Sequence, residues 1–144
     1  MKTEIVRSAL VRYSASQMFD LVNDIEAYPE YMEGCSGAEV LSRDGETLVA
    51  RLDLKKGGLT TSFTTRNTLD APSSMTMTLE SGPFKSLSGK WQFVALTDSA
   101  CKVSLDLVFE VNSLALSVAS SSMFASVANS LVDGLCRRAT DIYQ

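Results

Sequence analysis

Few residues of this chain have the chemistry of a catalyst. It contains no histidine, so the commonest general base near neutral pH is missing, and with it every histidine-dependent triad. The cysteines Cys35, Cys101 and Cys136 are odd in number, far apart and without a C-x-x-C spacing. They read as free, partly buried thiols and not as a metal site or a disulfide framework. The stretch GPFKSLSGKW looks superficially like a phosphate loop, but six residues separate Gly82 from Gly89, and Trp91 stands where a hydroxyl residue is required. The carboxylates Asp53, Glu80, Asp106 and Glu110 fall by strand alternation on a solvent-facing side, away from any pocket in which a general acid or base would have to sit. No catalytic residue, metal ligand or cofactor motif is expected.

Two polar residues stand out instead. In FTTRN (63–67), Thr65 and Asn67 share the parity of Phe63 and so place two hydrogen-bonding groups on an apolar wall. A buried amide without a partner is costly. Either backbone groups satisfy Asn67, or it offers a polar anchor to a ligand headgroup. Arg66 falls on the wet side by the same count, which a β-bulge would invert.

The elements that position these residues follow from periodicity. Residues 4–13 (EIVRSALVRY) read as a first strand. Ser14 then caps a helix, with Gln17 completing a capping box and Met18, Leu21 and Val22 forming its apolar stripe. Residues 23–36 carry Pro29 and Gly34 and predict a second short helix or turn. From about residue 37 to 111 the period becomes two, punctuated by Asp44-Gly45, Gly57-Gly58, Ala71-Pro72, Gly82-Pro83 and Asp98-Ser99, which predicts a meander of about six strands. Leu48, Ala50, Leu52 and Leu54 share the dry face with Met75, Met77 and Leu79, with Leu87, Trp91 and Phe93, and with Val103, Leu105, Leu107, Phe109 and Val111. Val108 is the one apolar residue of the last strand on the wet face.

Such a sheet needs a cover. A helix of about eight turns is predicted from Ser113 to Tyr143, with a stripe at Leu116, Met123, Val127, Leu131, Leu135 and Ile142, widened by Phe124, Ala128, Val132, Cys136 and Ala139. Gly134 inside it predicts a bend or a close approach to the sheet or a ligand. A curved sheet closing on one helix tends to leave a pocket of about 300–1,000 Å³. The expected lining is Leu52, Leu54, Phe63, Thr65, Asn67, Met77, Leu79, Trp91, Phe93, Leu107, Phe109, Met123, Val127, Leu131 and Leu135. Tyr28, Pro29, Tyr31 and Met32, in the turn-rich segment, are expected at its entrance, either exposed or folded down as a plug. Lys55, Lys56, Lys85 and Lys90 sit near hairpin tips, where such amines usually serve solubility.

The bulk numbers bound the rest. With 144 residues and 45% hydrophobic content, one domain over 1–144 with one core is expected. The N-terminus breaks its apolar residues with charges, and no stretch approaches the about 18 apolar residues of a span, so a cytoplasmic protein without stable membrane insertion is expected. Thirteen basic against seventeen acidic residues give a net charge of −4. That balance removes the long-range attraction on which DNA binding relies and leaves any RNA contact to a local patch.

The order strand, two helices, six strands, long helix resembles the helix-grip architecture of START and plant-allergen-like domains, an α+β fold whose seven-stranded antiparallel sheet wraps a C-terminal helix. The stretches 8–37 (SALVRYSASQMFDLVNDIEAYPEYMEGCSG), 63–67 (FTTRN), 82–93 (GPFKSLSGKWQF) and 132–143 (VDGLCRRATDIY) resemble, over nearly the whole chain, the family of coenzyme Q-binding proteins and ribosome-association toxins, often labelled polyketide cyclase/dehydrase. The resemblance implies one of three roles. The first is non-enzymatic binding of a ubiquinone-type quinone or lipid in support of respiration. The second is binding to the large ribosomal subunit so that it cannot join the small one. The third, an aromatase or cyclase, requires ionisable groups inside the cavity, and parity places none there.

Overall fold

The computed structural model describes residues 2–111 and 117–143. Strand β1 (Thr3–Val11) leads to helix α1 (Ala15–Asn23) and a 3₁₀ helix (Ile25–Glu30). Six strands follow: β2 (Cys35–Asp44), β3 (Thr47–Lys56), β4 (Leu59–Asp70), β5 (Ser74–Ser81), β6 (Phe84–Thr97) and β7 (Ala100–Val111). Helix α2 (Ser117–Tyr143) completes the chain. This is the predicted order; four of the five predicted turn pairs fall between strands, and the fifth, Asp44-Gly45, begins on the last residue of β2. The expected helix start at Ser113 and the stripe residue Leu116 lie outside the described residues.

The local signals act as their chemistry requires. The Ser14 hydroxyl accepts from the Gln17 backbone N–H at 3.1 Å while Gln17 Oε1 accepts from the Ser14 N–H at 2.9 Å, a reciprocal cap that starts α1 and turns Met18 and Val22 fully inward. Pro29 lies inside the 3₁₀ helix. There the proline lacks an N–H to continue an α-helical ladder, so the chain turns toward the sheet.

All strand pairs are antiparallel, in the order β1-β7-β6-β5-β4-β3-β2. Strands consecutive in sequence are neighbours except β1 and β2, which occupy opposite edges, so α1 and the 3₁₀ helix must bridge the sheet between them. Register shifts at Cys35/Gly37, Val40/Ser42, Thr64/Thr65, Phe84/Ser86 and Ala95/Thr97 bend individual strands. The shift at Thr64/Thr65 leaves parity intact on β4. Phe63, Thr65, Asn67 and Leu69 are buried, and Arg66 is exposed and paired with Glu80 at 2.7 Å.

Helix α2 lies across the concave face, burying Met123, Phe124, Val127, Ala128, Val132, Leu135 and Ala139, with each large side chain contributing about 1.5–3 kcal/mol. Ile142 departs from the predicted stripe at 52% exposure. The last turn instead directs Tyr143 inward, where its hydroxyl donates to the Gln17 carbonyl at 2.9 Å and its ring meets Tyr13 at 5.8 Å, because α1 rather than the sheet lies beneath it. The buried Gly134 approaches the Tyr31 carbonyl: a β-carbon there would stand 3.7 Å from that oxygen. The neighbour is the segment after the 3₁₀ helix and neither the sheet nor a ligand. No helix among the described residues is long and apolar enough to cross a membrane.

Candidate functional site

A cavity of about 70 Å³ remains between α2 and the concave face. Strand alternation brings Leu52 and Leu54 of β3, Phe63, Thr65 and Asn67 of β4, Met77 of β5, Trp91 of β6 and Leu107 of β7 to its wall. Val127 and Leu131 face them from α2, and Tyr28 and Met32 reach it from the 3₁₀ helix and the residues after it. The ten from β3 to β7 and α2 were legible from period and parity; Tyr28 and Met32 were expected only as entrance residues of the turn-rich segment.

Five expected wall residues sit elsewhere in the structure. Phe93 is buried under α1, edge-on to Phe19 at 5.9 Å. Phe109 belongs to a cluster of four phenylalanines. Met123 and Leu135 are buried in the core without reaching the cavity, and Leu79 is half-buried opposite Thr65. Parity assigns a face of the sheet, but a curved sheet meets α2, α1 and the phenylalanine cluster at different points along that face. The reverse error involves Ile25, Cys35, Ala50, Leu87, Leu105, Phe124 and Ala128, which line the cavity outside the expected set. Ala50, Leu87 and Leu105 had the right parity and Phe124 and Ala128 the right helix stripe. Ile25 and Cys35 carried no periodic signal.

The cavity is also smaller than the expected range of about 300–1,000 Å³. Aromatic filling accounts for this. Phe63 and Phe84 lie 5.5 Å from each other, Phe124 lies 5.5 Å from Phe63 and 4.9 Å from Phe84, and Phe109 lies 4.6 Å from Phe124. One end of the grip is therefore packed solid.

The expected entrance residues divide. Tyr28 and Met32 are folded down on the cavity, the Tyr28 hydroxyl donating to the Val22 carbonyl, whereas Pro29 is exposed. Tyr31 is half-buried against Tyr28 at 6.1 Å and lies under the Arg138 guanidinium, 5.1 Å from its ring centre. Arg138 also pairs with Glu30 at 3.2 Å. This segment is thus clamped to α2 and presents no exposed aromatic patch.

Thr65 and Asn67, 6% and 3% exposed, are the polar feature of the wall. The Thr65 hydroxyl donates to Asn67 Oδ1 at 2.8 Å, and Asn67 Nδ2 donates to Met75 Sδ at 3.6 Å. The partners of Asn67 are a hydroxyl and a weak sulfur acceptor, not the backbone. No lysine, arginine, aspartate or glutamate lines the cavity. Its two titratable groups are Tyr28 and Cys35, and burial pushes both up from their ordinary values. Neither is poised to exchange a proton near neutral pH. Two of the four expected hairpin amines are engaged outside, Lys56 with Glu33 at 3.2 Å and Lys85 with Glu110 at 3.8 Å. Among the described residues no cluster of His, Cys, Asp and Glu has a metal-binding arrangement.

Burial raises the thiol pKa of Cys101 and Cys136 as well. Only Cys136 is not fully buried. With a disulfide thiol reagent at pH 7, one equivalent is expected to react first, at Cys136, while Cys35 and Cys101 follow only as the protein opens. Peptide mapping of the partly labelled protein checks the order.

Comparison with known proteins agrees with this geometry. Residues 11–136 match the family described as polyketide cyclase / dehydrase and lipid transport. A Pseudomonas aeruginosa protein named ribosome association toxin RatA is 44% identical over 99% of both chains. Among solved structures, a START superfamily protein from Mycobacterium smegmatis superposes with a TM-score of 0.81 at 22% identity, covering 96% of this chain and 98% of that one. Zhui aromatase/cyclase from Streptomyces sp. R1128 does so with 0.84 at 18% identity, covering 100% and 97%. With a seven-stranded antiparallel grip on a C-terminal helix and full-length relatives at this identity, the chain belongs to the polyketide cyclase/dehydrase and lipid transport family, alongside the proteins named ribosome association toxins.

Proposed function

We propose that this protein acts in the cytoplasm as a ribosome-associating toxin of the kind its relatives are named for, engaging the large subunit so that it cannot join the small one. The observation that carries this is the 44% identity spread over 99% of both chains, so the likeness is not confined to one segment of the fold. At a net charge of −4, the contact with the ribosome is local and depends on shape as well as charge. The test is overexpression followed by sucrose-gradient profiling. The expected result is an excess of free subunits and co-sedimentation with the large one; unchanged whole ribosomes and no co-sedimentation would overturn the proposal.

A second reading is favoured by the cavity. A partly enclosed apolar space with a buried Thr65–Asn67 pair suits a small hydrophobic guest, bound without catalysis because no ionised group reaches the wall. A ubiquinone-type molecule, the ligand that the family resemblance implies, exceeds about 70 Å³ and would enter only if the Tyr28–Met32 segment parted from α2. Solvent extraction of the purified protein and mass spectrometry test for a bound quinone or lipid.

A further inference from the structure

Asn67 faces Met75 Sδ with one end of its amide and the Thr65 hydroxyl with the other. A thioether has no hydrogen to give, so the end facing it is the nitrogen and the end facing Thr65 is the oxygen. The Thr65 hydrogen is therefore spent on Asn67. That leaves the lone pairs of Thr65 Oγ1 and the second hydrogen of Asn67 Nδ2 without a protein partner among the described residues. Both side chains are at least nine-tenths buried and both line the cavity. An unspent donor in an apolar enclosure is costly, and a guest that satisfies it recovers that cost.

From this we infer that the cavity selects a short alkyl chain ending in a neutral head that both accepts and donates a hydrogen bond, namely an alcohol or a primary amide. The inference rests on the reading of the cavity as a ligand site. The head's oxygen accepts from Asn67 Nδ2, and its own N–H or O–H donates to Thr65 Oγ1. A ketone or quinone carbonyl meets only the first of these. A carboxylate finds no cation on the wall and is excluded by desolvation. Size limits the guest: a cavity of about 150 Å³ accommodates benzene, so at about 70 Å³ a guest of four or five carbons enters as α2 and the 3₁₀ segment separate slightly.

The test uses the full chain and five probes: butanamide, butan-1-ol, butan-2-one, butyrate and pentane. Trp91 is the chain's one tryptophan, lies on the cavity wall and is 2% exposed, so its fluorescence reports occupancy. The Asn67 side-chain amide signals report the head. Butanamide and butan-1-ol are expected to shift both. The Asn67→Leu substitution is expected to weaken them about tenfold while leaving pentane unaffected. Thr65→Val keeps the shape of threonine and is expected to abolish the preference for butanamide over butan-2-one; it carries the test if the first variant does not fold. Butyrate binding as tightly as butanamide, or polar probes indifferent to both substitutions while pentane still binds, would overturn the anchor and leave the cavity standing. No response of Trp91 to any probe, pentane included, would overturn the cavity reading and this inference together.

Discussion

Replacing Phe109 with alanine is expected to remove about 3–5 kcal/mol of folding stability, read as a lower urea midpoint with an unchanged slope. Phe109 is 0% exposed, and its ring stands 4.6 Å from Phe124 and 5.9 Å from Phe84 in edge-to-face contact. Its removal costs the transfer energy of a large aromatic and leaves a void bordered by rings that cannot all collapse into it, since each is held by other rings of the same cluster. The neighbouring outward residue supplies the control: Val108→Ala, on the wet face of the same strand, is expected to cost well under half as much. A loss below about 1 kcal/mol for Phe109→Ala would show that α2 is not packed on this end of the sheet.

The second large effect is expected where the chain turns from the 3₁₀ segment into β2. Gly34 has a φ of +85°, and a β-carbon there would stand 2.6 Å from Cγ2 of Val127 on α2. Valine is stiff at χ1 in a helix and has no flexible end to swing away. Gly34→Ala therefore combines a left-handed backbone cost with overpacking and is expected to destabilise by about 2–3 kcal/mol. Val127→Ala removes the obstructing methyl, so the double variant is expected to lose clearly less than the sum of the two single losses in a double-mutant cycle. Strict additivity would mean that the segment and the helix do not meet there. Met32, Cys35 and Val127 all line the cavity, so the contact that sets stability also sets how closely the space is shut.

These two sites differ in how far the sequence announces them. The burial of Phe109 follows from strand alternation alone, since every second residue of β7 must turn toward the cover. Its aromatic partners do not follow, because Phe63, Phe84 and Phe124 come from two other strands and the helix and meet only through sheet curvature. The closeness of Gly34 to Val127 has no sequence signal beyond the glycine itself. Turn chemistry predicts a bend at Gly34 and says nothing of what lies across it.

The residues by themselves determined the order of elements, the inward face of strands β3 to β7, the capped first helix and the cover helix. These are local consequences of periods of two and 3.6 and of capping and turn preferences. Only the tertiary structure decided that four phenylalanines fill one end of the grip, leaving about 70 Å³ where a larger pocket was expected. It also decided that Phe93 serves α1, that Tyr31 is clamped under Arg138, and that Asn67 is met by a hydroxyl and a sulfur. Periodicity ranks side chains as inside or outside. The volume between them depends on strand bends, helix placement and the mutual fit of rings far apart in sequence, and a local pattern does not encode those distances.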